Sequence, residues 1–270
     1  MSPGSAADAP QVAAIIAARN AATTLRDCVS GIIAQDIPFE CVLVDDHSTD
    51  GTAALAQALA EAIQSPSTSF RVLQSSQYGC RGRGAATNLA IKHTMAPYIA
   101  ICDSDDISRP GRFAACLKAF ADDDSLDVVG MQLAQFVGSS TPQQRVSYPL
   151  DPSRILRELE SQRMPIPFPS VMIRRRSIIR CGLFNETLVR AQDFEWFYRN
   201  RYRLQAITLP DVGVDYRGAW PVAWSYWHEN ANSHREACQK APQVRGVEFA
   251  RYFAYRIKAQ FEPFKSSRKQ

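Results

Sequence analysis

Short apolar runs that alternate with helical periodicity constrain the fold of this chain most strongly. Four such runs predict buried strands, at residues 11–17, 39–44, 70–74 and 98–102. Three stretches with a helical pattern lie between them, at residues 21–34, 51–63 and 84–94. Repeated strand–helix–strand alternation predicts parallel strands joined by right-handed crossovers, and therefore an α/β protein.

Polar residues follow three of these predicted strands at the point where each strand ends. They are Arg19-Asn20, Asp45-Asp46 and Asp103-Ser104-Asp105. In open parallel sheets, ligands bind beyond the carboxyl ends of the strands. The sequence therefore predicts a ligand site at this edge of the sheet.

The pattern becomes less regular after residue 130, so we expect one compact domain with two sub-regions. A Pro-rich extended loop, a strand and two helices are predicted there, at residues 164–169, 170–173, 192–202 and 234–260. The small, polar residues 1–10 predict a disordered lead-in.

Composition excludes several classes of protein. With 46% hydrophobic residues over 270 positions, the chain can bury a sizeable core. Its apolar runs are far shorter than the ~20 residues that cross a bilayer, and no secretory pattern follows Met1. The seven cysteines are scattered without a CxxC pair, which argues against a disulfide framework or a zinc site. We therefore expect a cytoplasmic globular protein.

Charge differs between the two halves of the chain. Residues 1–150 hold 10 basic and 15 acidic residues, a net charge of −5. Residues 151–270 hold 21 basic and 12 acidic residues, a net charge of +9. A basic half is typical of contact with nucleic acid, an anionic membrane or an anionic substrate, and equally of a solvated arginine-rich surface.

Two carboxylates, Asp103 and Asp105, follow the fourth predicted strand on alternate residues, with Asp106 beside them. A divalent cation would relieve the repulsion among these charges. Mg²⁺ and Mn²⁺ take few protein carboxylates together with the oxygens of a diphosphate. We hypothesise a metal site here; the alternative is a solvated acidic turn.

Two further segments carry groups that suit a nucleotide. The carboxylate of Asp46 can accept hydrogen bonds from a nucleobase imide or from ribose hydroxyls, and capping of the following helix does not account for it. The loop of residues 79–87 carries Arg81 and Arg83 before a helix. Its glycines allow a close approach of the backbone, and arginine pairs well with phosphate.

Six segments of the chain resemble motifs of the glycosyltransferase family 2, in the same order and at similar spacing to that family. They are VAAIIAARN, CVLVDDHSTDGT, GRGAATNLAI, YIAICDSDDISRPGRF, PSVMIRRRSIIRCGLFNETLVRAQDFEWFYR and YWHENANS. The resemblance covers about residues 11–235. It implies the GT-A fold, in which helices flank a Rossmann-like, mixed and mainly parallel sheet. It also implies an inverting transfer of sugar from a nucleoside diphosphate sugar, with UDP the expected carrier.

The resemblance also implies roles on the donor side of the site. Asp46 would contact the base of the nucleotide, with Arg19 near it, and Arg83 would belong to the nucleotide site. Asp103 and Asp105 would hold Mn²⁺ or Mg²⁺ against the diphosphate. The resemblance further suggests His228 as a third group at the metal or the diphosphate; the alternative is a hydrogen-bonded loop residue.

On the acceptor side, the resemblance makes Asp193 the general base, with Glu195 as the replacement candidate. Residues 11–130 would bind the nucleotide sugar and residues 131–235 the acceptor, followed by a C-terminal helix and basic tail at 236–270. The acceptor would be a glycan or a lipid-linked glycan, with peripheral contact to an anionic membrane and none to nucleic acid. The indoles of residues 220–227 would stack on the acceptor or pack in the core.

Two other functions remain open on the sequence. A nucleotidyltransferase shares the sheet and the acidic metal ligands, but it needs a glycine-rich phosphate loop after the first strand, where this chain has Ala18-Arg19-Asn20. A non-catalytic nucleotide- or glycan-binding module is the second alternative. The joint presence of Asp46, Asp103, Asp105 and Asp193 argues against it.

Overall fold

The computed structural model describes residues 10–63, 68–137, 144–218 and 224–240, and within the last range the side chains of residues 229–239. The strands of these ranges are β1 (Val12–Ala18), β2 (Phe39–Asp45), β3 (Thr68–Gln74), β4 (Tyr98–Asp103), β5 (Ile107–Ser108), β6 (Val128–Phe136), β7 (Gln144–Val146), β8 (Met172–Arg174) and β9 (Ala206–Arg217). They form one sheet in the order β3-β2-β1-β4-β8-β6-β9-β5, and β7 pairs with β6.

Helices cover both faces of this sheet. They are α1 (Leu25–Ile33), α2 (Thr52–Ile63), α3 (Arg83–Lys92), α4 (Arg112–Asp122), α5 (Pro152–Glu160), α6 (Arg175–Cys181), α7 (Gln192–Arg199) and α8 (Trp224–Lys240). Short 3-10 helices lie at Ser75–Tyr78 and Phe168–Ser170. The predicted α/β class is confirmed. The sheet is mixed because β8 pairs antiparallel with both β4 and β6.

The register of the first strands places their polar ends together. Strand β1 pairs in parallel with β2 on one side and with β4 on the other. Ala18 lies opposite Asp45, and Ala17 lies opposite Asp103. The predicted ligand edge is therefore a single rim, formed where β1, β2 and β4 end.

The core lies on both faces of the sheet, which explains why the first strands are apolar throughout rather than alternating. Ile15 packs in a cluster with Leu89 of α3 and Trp196 of α7. Its neighbour Ile16 points to the other face and packs in a cluster with Leu25 of α1 and Phe113 of α4. A strand covered on both faces gains from every apolar side chain it carries.

Two predicted elements have different bounds in the structure. The helix expected from residue 21 begins only at Leu25, because the Ala21 backbone N–H donates to Thr52 Oγ1 (2.7 Å) and holds a turn there. The strand expected at 170–173 is displaced to Met172–Arg174. Ser170 instead closes a 3-10 helix, and its hydroxyl bonds the backbone of Met131 on β6.

The later helices also differ from the prediction. Helix α7 ends at Arg199 rather than at residue 202, and the side-chain amide of Asn200 donates to Trp196 O (3.0 Å) at that end. Helix α8 begins ten residues before the predicted helix at 234–260. The remainder of that prediction, the basic tail and the lead-in at residues 1–9 lie outside the described residues.

Side-chain hydrogen bonds from α3 and α7 hold the segment around Gly182 in place. The side-chain amide of Asn88 on α3 donates to Phe184 O and Glu186 Oε1 (both 2.8 Å), and its oxygen accepts from Phe184 N (3.0 Å). The guanidinium of Arg199 donates to Cys181 O and Leu183 O (2.9 and 2.8 Å). These bonds fix the chain on both sides of Gly182, and so fix the position of α7.

Within the described ranges, no helix combines the length and the apolar character needed to cross a membrane. All seven cysteines carry free thiols.

Candidate active site

One cavity of about 900 Å³ opens at the rim where β1, β2 and β4 end. Helices α3, α7 and α8 supply other parts of its wall. Six of the seven site residues predicted from the sequence line it: Arg19, Asp46, Arg83, Asp103, Asp105 and Asp193. The two sub-regions therefore share a single site.

The acidic cluster consists of Asp103, Asp105 and Asp106, each with a carboxylate oxygen within 4.8 Å of the others. Asp106 is buried; its Oδ1 accepts from Arg217 N (2.8 Å), while its Oδ2 has no hydrogen-bond partner among the described residues. Burial and the charge of Asp103 raise the pKa of Asp105, and the same causes raise the pKa of Asp106 further. An oxygen-only donor set with an orphaned carboxylate oxygen fits a hard divalent cation such as Mg²⁺ or Mn²⁺.

Arg83 faces this cluster from the first turn of α3. Its guanidinium forms an ion pair with Asp103 and lies 5.9 Å from the centre of the Phe168 ring. The charge of Asp103 raises the pKa of Arg83, and Asp193 and Asp105 act in the same direction. Arg83 therefore lies in the field of the acidic cluster and of Asp193 together.

The carboxylate of Asp46 is buried just after the end of β2 and accepts hydrogen bonds from the backbone of another loop. Both of its oxygens accept from the Gly82 backbone N–H (3.0 and 3.1 Å). Gly82 has a φ of 96°, a conformation that suits glycine and turns the chain into α3. Asp46 thus holds the arginine loop against the rim, while Arg19 lies exposed at the cavity edge.

Asp193 lies half-buried in the first turn of α7. Ala191 precedes the helix with a φ of 57°, a strained conformation for a residue with a Cβ atom. The side chain of Gln192 donates to Leu188 O (2.9 Å) and closes the turn. This segment packs against Gly84 of α3, where an added Cβ atom would lie 2.7 Å from Asn185 O. Close packing therefore sets the position of Asp193 relative to Arg83.

Glu195, the replacement candidate for the general base, is engaged elsewhere. It is buried and forms an ion pair with Arg199 (2.8 Å). Arg199 in turn bonds the backbone near Gly182, so Glu195 serves the fold of this segment.

Glu229 and Asn230 of helix α8 line the cavity beside α7. Glu229 forms an ion pair with Arg190 (2.8 Å), and the Arg190 backbone N–H donates to Ser233 Oγ (3.3 Å). The backbone of His228 belongs to α8, but its side chain lies outside the described part of the structure. The side chains of the predicted indole segment at 220–227 lie outside it as well.

Two arginines that hold the chain around the acidic cluster were missed in the sequence analysis: Arg217 contacts the cluster, and Arg112 bonds the strand that leads to it. The guanidinium of Arg217, on β9, donates to Asp105 O (3.0 Å), and no sequence motif marks this residue. Arg112 is fully buried and donates to Ser108 Oγ (2.8 Å) and to Ile101 O (2.7 Å) of β4. The sequence feature that could have marked Arg112 is its position in the segment SRPGR, six residues after Asp106.

The basic run Arg174-Arg175-Arg176 contributes to the net charge of +9 over residues 151–270, but Arg174 does not lie on the surface. That residue is buried and donates to Leu126 O (2.7 Å) and Phe120 O (2.8 Å). Its neighbour Arg175 donates to Ala96 O (2.7 Å), and the exposed Arg176 forms an ion pair with Asp124. A run of positive charges in the sequence is here divided between the core and the surface.

Comparison with known proteins agrees with this geometry. The model of the family described as Glycosyl transferase family 2 matches residues 13–183. The chain therefore belongs to glycosyltransferase family 2, and the resemblance predicted from its motifs is confirmed.

Several known proteins are similar to this chain in sequence or in structure. The succinoglycan biosynthesis protein ExoU of Rhizobium meliloti is 30% identical over 72% of this chain and 58% of its own length. TarS of S. aureus, in complex with UDP-GlcNAc, superposes with a TM-score of 0.61 at 18% identity, over 87% of this chain and 68% of TarS. The mannosyltransferase PcManGT from Pyrobaculum calidifontis, in complex with GDP-Man and Mn²⁺, superposes with a TM-score of 0.63 at 23% identity. The match covers 86% of this chain and 66% of PcManGT.

These structural neighbours establish the GT-A fold for this chain. The chain spans between 35% and 58% of the length of the curated relatives it matches.

Proposed function

We propose that this glycosyltransferase moves a sugar, with inversion, from a nucleoside diphosphate sugar to a hydroxyl group of a glycan or lipid-linked acceptor. The observation that carries the proposal is the shared cavity. It brings the acidic cluster and the arginine loop of the first sub-region to the half-buried carboxylate of Asp193 on the second. One cavity can thus hold a donor and an acceptor side by side.

On the donor side, Asp46 and Arg19 would bind the nucleoside, and Arg81 and Arg83 would bind the diphosphate. Residues 11–130 form this half. UDP is the expected carrier, since TarS was solved with UDP-GlcNAc, although PcManGT was solved with GDP-Man. Arginine pairs with phosphate through two parallel N–H donors, which suits a leaving diphosphate.

Asp103 and Asp105 are the residues that would hold a divalent cation, with the orphaned Oδ2 of Asp106 beside them. When bound, the cation would neutralise the negative charge that develops on the departing diphosphate. The solved complex of PcManGT with Mn²⁺ supports this assignment by analogy.

On the acceptor side, Asp193 would act as general base. The acceptor oxygen forms a bond with the anomeric carbon while the bond from that carbon to the diphosphate oxygen breaks. The acceptor proton passes to Asp193, and the bonding electrons leave with the nucleoside diphosphate. Attack from the side opposite the leaving group inverts the configuration of the sugar. The N-terminal end of α7 favours the ionised carboxylate that this role needs.

The acceptor class rests on two kinds of support. The name of ExoU describes a protein of succinoglycan biosynthesis, which favours a polysaccharide or its lipid-linked precursor. The net charge of +9 over residues 151–270 favours an anionic surface nearby. Since Arg174 is buried, we expect this attraction to be weak and reversible.

A panel of nucleotide sugars tests the proposal. UDP- and GDP-linked hexoses and N-acetylhexosamines are incubated with the chain and Mn²⁺, and release of the nucleoside diphosphate is measured with and without oligosaccharide acceptors. We expect release from one donor class, stimulated by acceptor. Tight binding of UDP or GDP with no release from any donor would favour the non-catalytic module instead.

A further inference from the structure

Arg83 occupies the place in the acidic cluster where a positive charge is needed. Its guanidinium pairs with Asp103, whose side chain is 16% exposed, although Arg83 itself remains 48% exposed. Burial and the charge of Asp103 raise the pKa of Asp105, and the guanidinium of Arg83 acts against that rise. In the described structure, the arginine thus supplies countercharge to the same carboxylates that would hold a divalent cation.

Arg83 and a divalent cation would both lie against the carboxylate of Asp103. Two positive charges held that close together repel each other, so the presence of one weakens the binding of the other. We propose that Arg83 and the divalent cation are alternative partners of Asp103. The cation displaces the guanidinium when it binds, and the diphosphate of the donor then receives the released arginine. This inference rests on the proposed function, because the cation and the diphosphate belong to it.

The local structure allows this exchange with little rearrangement. The backbone of Arg83 is fixed at the start of α3, where Ala86 N donates to Gly82 O (2.9 Å) and Thr87 Oγ1 donates to Arg83 O (2.8 Å). The side chain alone has to rotate, and half of it already faces solvent. The ring of Phe168 offers the guanidinium an apolar surface within the same cavity.

The exchange also couples two binding events. A diphosphate that takes up the guanidinium frees Asp103 for the cation, and a bound cation frees the guanidinium for the diphosphate. By linkage, each ligand raises the affinity for the other by the same factor. Arg81 lines the same cavity with the same charge, but it is Arg83 that forms the ion pair with Asp103. Arg81 therefore serves as a matched control.

Titration of the full chain with Mn²⁺, followed by electron paramagnetic resonance without nucleotide, tests the exchange. Removing the competing charge in Arg83→Gln should tighten Mn²⁺ binding by about tenfold. Arg81→Gln should change the affinity by less than about threefold, since the ion pair with Asp103 is formed by Arg83. Arg83→Lys keeps the charge and should bind Mn²⁺ as weakly as the wild type. Thermal unfolding of each variant confirms that it is folded.

A second titration in the presence of UDP measures the coupling. UDP should tighten Mn²⁺ binding by a larger factor in the wild type than in Arg83→Gln. Equal Mn²⁺ affinity in the wild type and Arg83→Gln, or weaker binding in the variant, would overturn the exchange even if donor turnover is demonstrated. Tighter binding in Arg83→Gln without turnover of any donor would support the exchange and count against the proposed function. A chain that binds no Mn²⁺ in either form contradicts the exchange.

Discussion

The two sub-regions reach the shared cavity by different physical means. In the first, parallel strands buried on both faces place their polar ends at one rim, as the pairing of Ala17 with Asp103 shows. In the second, side-chain hydrogen bonds hold irregular segments, as the buried Asn88 of α3 holds Phe184 and Arg199 of α7 holds Leu183. Apolar packing thus places the strand ends of the first sub-region, whereas in the second sub-region side-chain hydrogen bonds add to apolar packing in placing the segment that leads to Asp193.

The largest effect should come from the acidic cluster at the rim of the first sub-region. Asp105→Ala removes a carboxylate that we assign to the cation, so turnover should fall by about 10³ or more while the fold survives. Nucleotide release is measured with Mn²⁺ and with excess chelator. Asp122→Ala, which removes an exposed carboxylate that pairs with Lys118 on α4, is the matched control. Wild-type activity that is equal in chelator and in Mn²⁺ would exclude the cation.

The next effect should come from the hydrogen bonds that join the two sub-regions. Asn88→Ala removes three bonds and leaves the backbone of Phe184 without its side-chain partner, so the free energy of unfolding should fall by about 3 kcal/mol. Denaturant unfolding measures it. Thr87→Ala removes a bond within the same helix and should cost less than about 1 kcal/mol. Equal losses in the two variants would mean that Asn88 does not join the sub-regions.

A smaller, pH-dependent effect should come from His234, which is buried on α8 and stacks on Phe194 beside Asp193 (ring centroids 4.0 Å apart). Burial lowers the pKa of His234 from its ordinary value of 6.5 to about 4. Between these values the unfolded chain binds a proton that the native chain does not, so stability falls as the pH falls. We expect this group to contribute a loss of about 2 kcal/mol between pH 7 and pH 5.

Unfolding of the wild type, His234→Gln and His93→Gln at both pH values checks this expectation. The first variant should lose this part of the pH dependence. The second removes a half-buried histidine of the first sub-region, and this variant should keep the pH dependence. A pH dependence that is unchanged in His234→Gln would locate the proton uptake elsewhere.

The difference between the sub-regions also explains what could be predicted from the sequence. Continuous apolar runs and the helical spacing between them are visible in a single sequence. Strands such as Val12–Ala18 and the rim at Asp45 and Asp103 were therefore predicted correctly. The contact of Arg217 with Asp105 joins residues 112 positions apart, and no local pattern encodes it. Likewise, Arg174 stands in a basic run that is typical of a surface, yet backbone carbonyls in the fold bind it.

The smallest effect should come from the basic charge of the second half. Co-sedimentation with anionic vesicles should be weak and should disappear at high salt, because each basic residue near such a surface contributes about 1 kcal/mol and salt screens it. Arg176→Gln removes an exposed charge of this half and should weaken the binding slightly. Strong binding that resists salt, or equal binding to neutral vesicles, would contradict an electrostatic attachment.

The central claim is that Asp193 takes the acceptor proton in a cavity whose nucleotide is bound by residues of the first sub-region. Asp193→Asn keeps the shape of the side chain but cannot accept the proton, so turnover should fall by about 10² or more. Calorimetric titration with UDP and Mn²⁺ on the same preparation should give an affinity within about twofold of the wild type, because the substitution lies on the acceptor side. Unimpaired turnover, or a loss of UDP binding that matches the loss of turnover, would contradict the account.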